Sequence, residues 1–284
     1  MTGPRPSGRA TTGPERPGRA KTGPGASGAA VGPPPSAGGP AAAALQAVLF
    51  DLDDTLVPQA DWLHGALDAV AAAAAELDPA ADPGRFRRAL AAEAAAGSAR
   101  GGVIDRALAA AGLDLPVAPL VDAFLAYRAP ALRTHPGVPE LLSGLRRHVP
   151  LGLVTDGNAE VQRAKIAAAG LADAFDVVVC SDELGREHRK PDPLPFRTAL
   201  QALGVAPDRA AFVGDRPDTD IAGASAVGML AVRVLTGEHA ASADVVRPAL
   251  TVDAVAAAGP WLHERLAPLP TPGPAGTLAG GGRP

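Results

Sequence analysis

The chain has 284 residues, a formal net charge of −4 and a hydrophobic content of 47%. That is ample for a core, and the acidic balance argues against nucleic acid or an anionic membrane as the partner. The single cysteine, Cys180, excludes an internal disulfide, and no Cys/His cluster has metal-ligand spacing. No stretch approaches the ~18 apolar residues of a membrane span, and no apolar signal segment accompanies the N-terminal basic residues, so the sequence reads as cytoplasmic.

Residues 1–45 read as a disordered tail. Thr-Gly-Pro recurs there at Thr2, Thr12 and Thr22, and almost no large apolar side chain precedes Leu45 to offset the entropy of ordering. Ala47-Val48-Leu49-Phe50 is then a short apolar run ending at Asp51, the pattern of a strand buried on both faces. Residues 59–134 contain no such run. Leu63, Leu67, Val70, Ala74 and Leu77 recur at steps of three and four and mark one helix face. Gly84 to Ala96 predicts a second helix. Val103, Ile104, Ala107, Leu108 and Ala111 mark a third, and Leu120, Val121, Phe124 and Leu125 a fourth. This interval reads as a helical domain inserted after the first strand, with Thr134-His135-Pro136-Gly137 as the hinge back.

Four more strand-like runs follow. Leu151–Val154 ends at Thr155, Val177–Cys180 at Ser181-Asp182, and Ala211–Val213 at Gly214-Asp215; Ala231–Leu235 comes last. Helical patterns separate them, with Leu141, Leu142 and Leu145 before the second strand and Phe196, Ala199, Leu200 and Leu203 before the fourth. The alternation predicts an α/β fold, a parallel sheet flanked by helices, built from residues 46–58 and 135–265. Residues 266–284 are again rich in Pro and Gly and read as a loose tail.

In an open parallel sheet the carboxyl ends of the strands gather on one edge, where ligands bind. Asp51, Thr155, the 181–192 loop and Asp215 are therefore predicted to converge. A strand-end carboxylate such as Asp51 can attack phosphorus. Asp53, two residues on, can lie on the same side and act as acid and base. Two close carboxylates repel, so a cation is expected between them. Thr155 offers a hydroxyl to a phosphoryl oxygen, and Asp156 and Gly157 offer backbone N–H groups before the next helix. Lys190 can neutralise phosphoryl charge, Asp215 can complete a magnesium site, and Asp220 can orient it. In the insert, Arg100, Arg128 and Arg133 could meet an anionic substrate, and Trp62 and Tyr127 a base or sugar, although packing and exposed charge explain each of these singly.

Asp51-Leu52-Asp53-Asp54-Thr55, Thr155, Lys190 and Gly214-Asp215 with Asp220 resemble, in that order, the four motifs of the haloacid dehalogenase-like hydrolase superfamily. The match to its phosphatase branch covers most of residues 46–240, and the insert looks like that superfamily's first type of cap, as in phosphoglycolate phosphatase and nucleotidase relatives. The resemblance implies a three-layer Rossmann-like core and Mg²⁺ held by the Asp51 carboxylate, the Asp53 backbone carbonyl and the Asp215 carboxylate. It also implies hydrolysis of a small phosphomonoester through a phospho-aspartate, by a monomer or homodimer. Gly185-Arg186-Glu187-His188-Arg189, ahead of Lys190, is longer and more charged than the family's minimal pattern. A phosphomutase would use the same core residues, and a non-catalytic phosphate-binding protein on this fold would have lost one of them.

Overall fold

The structure, a computed structural model, describes residues 44–97 and 101–266. The tails called at 1–45 and 266–284 lie outside these residues except at their inner edges. Leu45 and Leu266, which composition assigns to the tails, form a bridge, and Leu45 is fully buried.

The core is one parallel sheet in the order β3-β2-β1-β4-β5-β6. Its strands are β1 (Ala47–Phe50), β2 (Leu151–Thr155), β3 (Val177–Cys180), β4 (Ala210–Gly214), β5 (Leu230–Val234) and β6 (Leu250–Val252). The last was not predicted. It is short and exposed at Thr251, so it gives no apolar run. Central β1 pairs with β2 through Phe50 and Leu153 and with β4 through Phe50 and Val213. It is buried throughout, as a strand covered on both faces must be.

Its side chains alternate between two cores. Val48 and Phe50 join Leu141, Leu142 and Leu145 of α5 (Val138–Arg146), Val161 and Ile166 of α6 (Ala159–Ala168), and Leu262 of α9 (Gly259–His263). Ala47 and Leu49 join Phe196, Ala199 and Leu200 of α7 (Pro193–Leu203) and Ala224 of α8 (Ala222–Val227). The result is the α/β three-layer arrangement expected.

Between β1 and α5 stand α1 (Gln59–Leu77), α2 (Pro83–Ala95), α3 (Val103–Ala111) and α4 (Val117–Ala126). They bury a core of their own, centred on Leu67, Val70, Phe86, Leu90, Leu108 and Leu120. Asp82 starts α2 by accepting hydrogen bonds from the Gly84 and Arg85 amides, and Gly112, at φ 67°, ends α3. Helix α1 serves both units, because Trp62 and Ala66 face the sheet's core while Leu67, Val70 and Ala74 face the insert's. Leu77, counted with the apolar stripe, is 43% exposed because α1 ends there and the packing ends with it.

Candidate active site

Strand order reverses at β1. The chain runs outward through β2 and β3, then returns to place β4 on β1's other side. The crevice at this switch is where an open α/β sheet binds ligands. A cavity of about 340 Å³ lies there, lined by Asp51, Asp53, Asp54, Thr155, Asp156, Arg189, Lys190 and Asp215, and by Gln59, Arg216, Thr219 and His239.

Asp51 follows β1 directly and is almost wholly buried. Lys190 Nζ donates to Asp51 Oδ1 at 2.5 Å and to the Val154 carbonyl at 3.2 Å, and it lies 2.7 Å from Asp220 Oδ1. The charged stretch before Lys190 thus does not keep it from the site. Arg189 forks onto Asp182 at 2.6 and 2.7 Å, and the Lys190 amide donates to Asp156 Oδ1, which together pin the loop. The Asp182 carboxyl is held below its ordinary value, first by the Arg189 hydrogen bond. The Lys190–Pro191 peptide is cis.

Asp215 follows β4, and its Oδ1 accepts from the Thr55 hydroxyl. Asp220, fully buried, also accepts from the Arg216 amide. Asp51, Asp215 and Asp220 present carboxylate oxygens within 4.8 Å of one another. Burial pushes the Asp51 carboxyl up to about 8, with Lys190 working against the shift and Asp220 adding to it. Asp215 is pushed up to about 9 by burial and then by the Asp220 and Asp51 charges. Burial opposes the charge on Lys190, but the Asp220 and Asp51 carboxylates outweigh it, and its pKa rises. Three carboxylates facing one ammonium leave an excess of negative charge. Hard oxygen donors in such an excess suit a divalent cation of the magnesium type. Asp220 has both oxygens engaged, by Lys190 and the Arg216 amide, whereas among the described residues Asp51 and Asp215 each have only Oδ1 engaged, by Lys190 and by Thr55, so their Oδ2 atoms are the ones that could hold one.

The Asp53 carboxylate cannot join them as it stands. Lys165 Nζ contacts both its oxygens, at 2.9 and 2.8 Å, and Gln162 Nε2 donates to Oδ2 at 2.9 Å. That makes the Asp53 backbone carbonyl its better donor to a cation. Thr155 lies at the end of β2, and its Oγ1 accepts from the same Gln162 Nε2 at 2.6 Å. It is not the cap of α6; Asn158 is, accepting from the Val161 amide. Gly157, on a backbone with φ 123°, does not line the cavity that Asp156 lines.

Several residues of the site escaped the sequence reading. Gln162 and Lys165 sit on α6 beside Val161 and Ile166, and all four are buried. Their signal is a pair of polar residues at helical spacing within an apolar face. Asp54 takes a left-handed backbone at φ 57° and accepts from the amide of Gln59, the first residue of α1. It so supplies the cap that Pro58 cannot, while the Thr236 hydroxyl donates to its carbonyl. Of the insert's candidates, Arg128 lies 3.7 Å from Glu160 and Arg133 3.6 Å from Asp61, Arg100 lies outside the described residues, and Trp62 and Tyr127 pack on each other at 6.0 Å.

The family model for haloacid dehalogenase-like hydrolases matches residues 45–228. The phosphoglycolate phosphatase of Rhodospirillum rubrum is 36% identical over 230 residues, covering 76% of this chain and 90% of that enzyme. The phosphoserine phosphatase of Thermus thermophilus is 44% identical over 122 residues, but only 42% of this chain and 47% of that enzyme align. Among solved structures, a 2-haloacid dehalogenase from Pseudomonas syringae pv. Tomato superposes with a TM-score of 0.55 at 32% identity, over 78% of this chain and 99% of that one.

Proposed function

The chain belongs to the haloacid dehalogenase-like hydrolases, and on that premise we propose that it hydrolyses small phosphomonoesters with Mg²⁺ through a phospho-aspartate formed on Asp51. The observation that carries this reading is the floor of the cavity. Asp51 lies at the carboxyl end of the central strand, with Lys190 Nζ at 2.5 Å and two further buried carboxylates beside it.

An Asp51 carboxylate oxygen attacks phosphorus, forming an acyl phosphate as the bond from phosphorus to the ester oxygen breaks. Asp53 gives the departing alcohol its proton, then removes a proton from the water that attacks the same phosphorus. That second displacement breaks the Asp51–phosphoryl bond and frees phosphate. Lys190, the Thr155 hydroxyl and the backbone around Asp156 stabilise the charge on the phosphoryl oxygens. Asp51, Asp215 and the Asp53 carbonyl would hold Mg²⁺, which supplies charge neutralisation at the phosphoryl group. The helical insert would act as the cap that selects the substrate and excludes water. Cytoplasmic residence as a monomer or homodimer completes the reading, and among the described residues no helix is long and apolar enough to cross a membrane.

A dehalogenase reading has support from the Pseudomonas structure, but a halide leaves without a proton and needs no partner such as Asp53. Phosphate release from a panel of phosphomonoesters, with Mg²⁺ and with chelator, tests the proposal. Asp51→Asn should fold and lose at least roughly 10³-fold in kcat. Substantial turnover by that variant would remove Asp51 from its role.

A further inference from the structure

Lys165 has no part in the chemistry just described, yet it is 4% exposed in the body of the protein. Burying an ammonium demands compensation. It finds this in the two oxygens of Asp53, at 2.9 and 2.8 Å, and in the ring of Trp62, whose centroid lies 4.3 Å from Nζ. Trp62 belongs to α1, the first helix of the insert, and packs edge-on against Phe124 of α4 at 5.1 Å. Gln162, 2% exposed, completes the arrangement. One amide group donates to both Asp53 Oδ2 and Thr155 Oγ1, tying the carboxylate to the hydroxyl beside the cavity.

A carboxylate offers about four acceptor positions, two on each oxygen. Oδ2 has both occupied, by Lys165 and Gln162. Oδ1 has one occupied, by Lys165. Among the described residues, one acceptor position on Oδ1 is therefore left for a proton exchanged with the leaving oxygen or with water. An Asp side chain with two rotatable bonds would otherwise sample several orientations, and proton transfer needs the carboxylate within hydrogen-bond reach of the substrate.

We propose that Lys165 is a positioning residue for Asp53: together with Gln162 it fixes which carboxylate oxygen faces the scissile bond, and through Trp62 it makes that placement depend on the seating of the insert's first helix. The inference deepens the phosphatase reading and rests on it for its catalytic half. The geometric half, that Lys165 holds Asp53, stands on its own.

The test compares two phosphomonoesters, an alkyl phosphate whose alkoxide leaves only with a proton and an activated aryl phosphate whose phenolate leaves without one. The parameter is kcat/KM, which reports only the steps up to departure of the alcohol. Lys165→Met should lower kcat/KM on the alkyl ester by roughly 10–100-fold, a share of what a positioned acid supplies, and on the aryl ester by less than about threefold. Lys165→Arg, which keeps the charge in a different shape, should recover part of the alkyl loss. Equal losses on both esters would make Lys165 a structural residue only and overturn the proposal. Should Lys165→Met fail to fold, Gln162→Leu carries the same comparison with the same two outcomes. A thermal-denaturation cycle of Lys165→Met, Asp53→Asn and the double variant, in chelator, reads the pair without turnover. A double variant no less stable than the worse single variant supports the hold, and additive losses overturn it. If wild-type protein hydrolyses neither ester, the phosphatase reading falls with the catalytic half, and this cycle still decides whether Lys165 holds Asp53.

Discussion

Replacing Lys190 with methionine removes the ammonium that, among the described residues, stands alone with Asp51, Asp215 and Asp220, and leaves the volume nearly unchanged. The Lys190 side chain is 3% exposed, that of Asp51 8% and that of Asp220 0%, so none can recover hydration without the fold opening. Breaking a buried pair by removing one partner costs about 3–5 kcal/mol. At about 2–4 °C per kcal/mol for a protein of this size, the metal-free variant should melt roughly 6–20 °C lower. The loss must depend on pH, and its sign is fixed. The Asp51 and Asp215 carboxyls lie above their ordinary 3.8 in the folded protein, at about 8 and about 9. Groups raised in this way contribute stability that is complete below about pH 4 and disappears as pH rises through about 8 to 9. Lys190→Met removes the charge that opposes the Asp51 shift, so its penalty should be small at about pH 5.5 and large at about pH 8.5. Circular-dichroism melts in chelator at the two pH values measure it. A drop below about 2 °C at the higher pH, or an equal drop at both, would refute the electrostatic account of this cluster.

Two further outcomes follow from the same geometry. If Asp51 and Asp215 hold Mg²⁺ as proposed, its uptake must displace protons from them, so its apparent affinity should rise with pH up to about 8 to 9; calorimetry in buffers of different ionisation enthalpy should register proton release, and a pH-independent affinity would contradict the proposed ligands. Gly237 has φ 67°, and a Cβ built there would lie 2.1 Å from Asp54 Cγ. Gly237→Ala should therefore lower the melting temperature and displace Asp54 from the α1 amide, with a cost of at least about 1 kcal/mol from the left-handed backbone alone; an unchanged melting temperature would show that this loop yields freely.

The strands were legible because a strand buried on both faces must be apolar along its length, and Ala47–Phe50 and Leu151–Val154 state that without help from the rest of the chain. β6 was not, since three residues at a sheet edge with one side exposed carry no such constraint. The insert's helices were legible from their periodicity, but the division of α1 between two cores was not, because Trp62 and Leu67 belong to different faces only once the insert has a place. At the site, polar residues ending apolar runs pointed to Asp51, Thr155 and Asp215, and the structure sets all three on one cavity. Gln162 and Lys165 end no run. Their importance comes from a contact 112 residues apart in sequence between Lys165 and Asp53, which only the pairing of β1 with β2 creates.

The arrangement of charge gives Asp220 a part in the proposed cycle although it neither attacks nor lines the cavity. Lys190 is asked to serve two masters in the proposed cycle. Before reaction it neutralises Asp51, and during transfer it must serve the phosphoryl oxygens while the Asp51 carboxylate gives up its own charge to become the acyl part of an anionic acyl phosphate. If Asp51 were its only protein anchor, Lys190 would lose that anchor at the moment it is required to stay in place. Asp220 lies 2.7 Å from Nζ, is fully buried, and is itself held by the Arg216 amide at 3.1 Å, so its grip does not change as Asp51 reacts. The second carboxylate thus converts a pairwise ion bridge into a fixed cation. A fixed cation is the preorganised charge that lowers a barrier without reorganising when the charge develops.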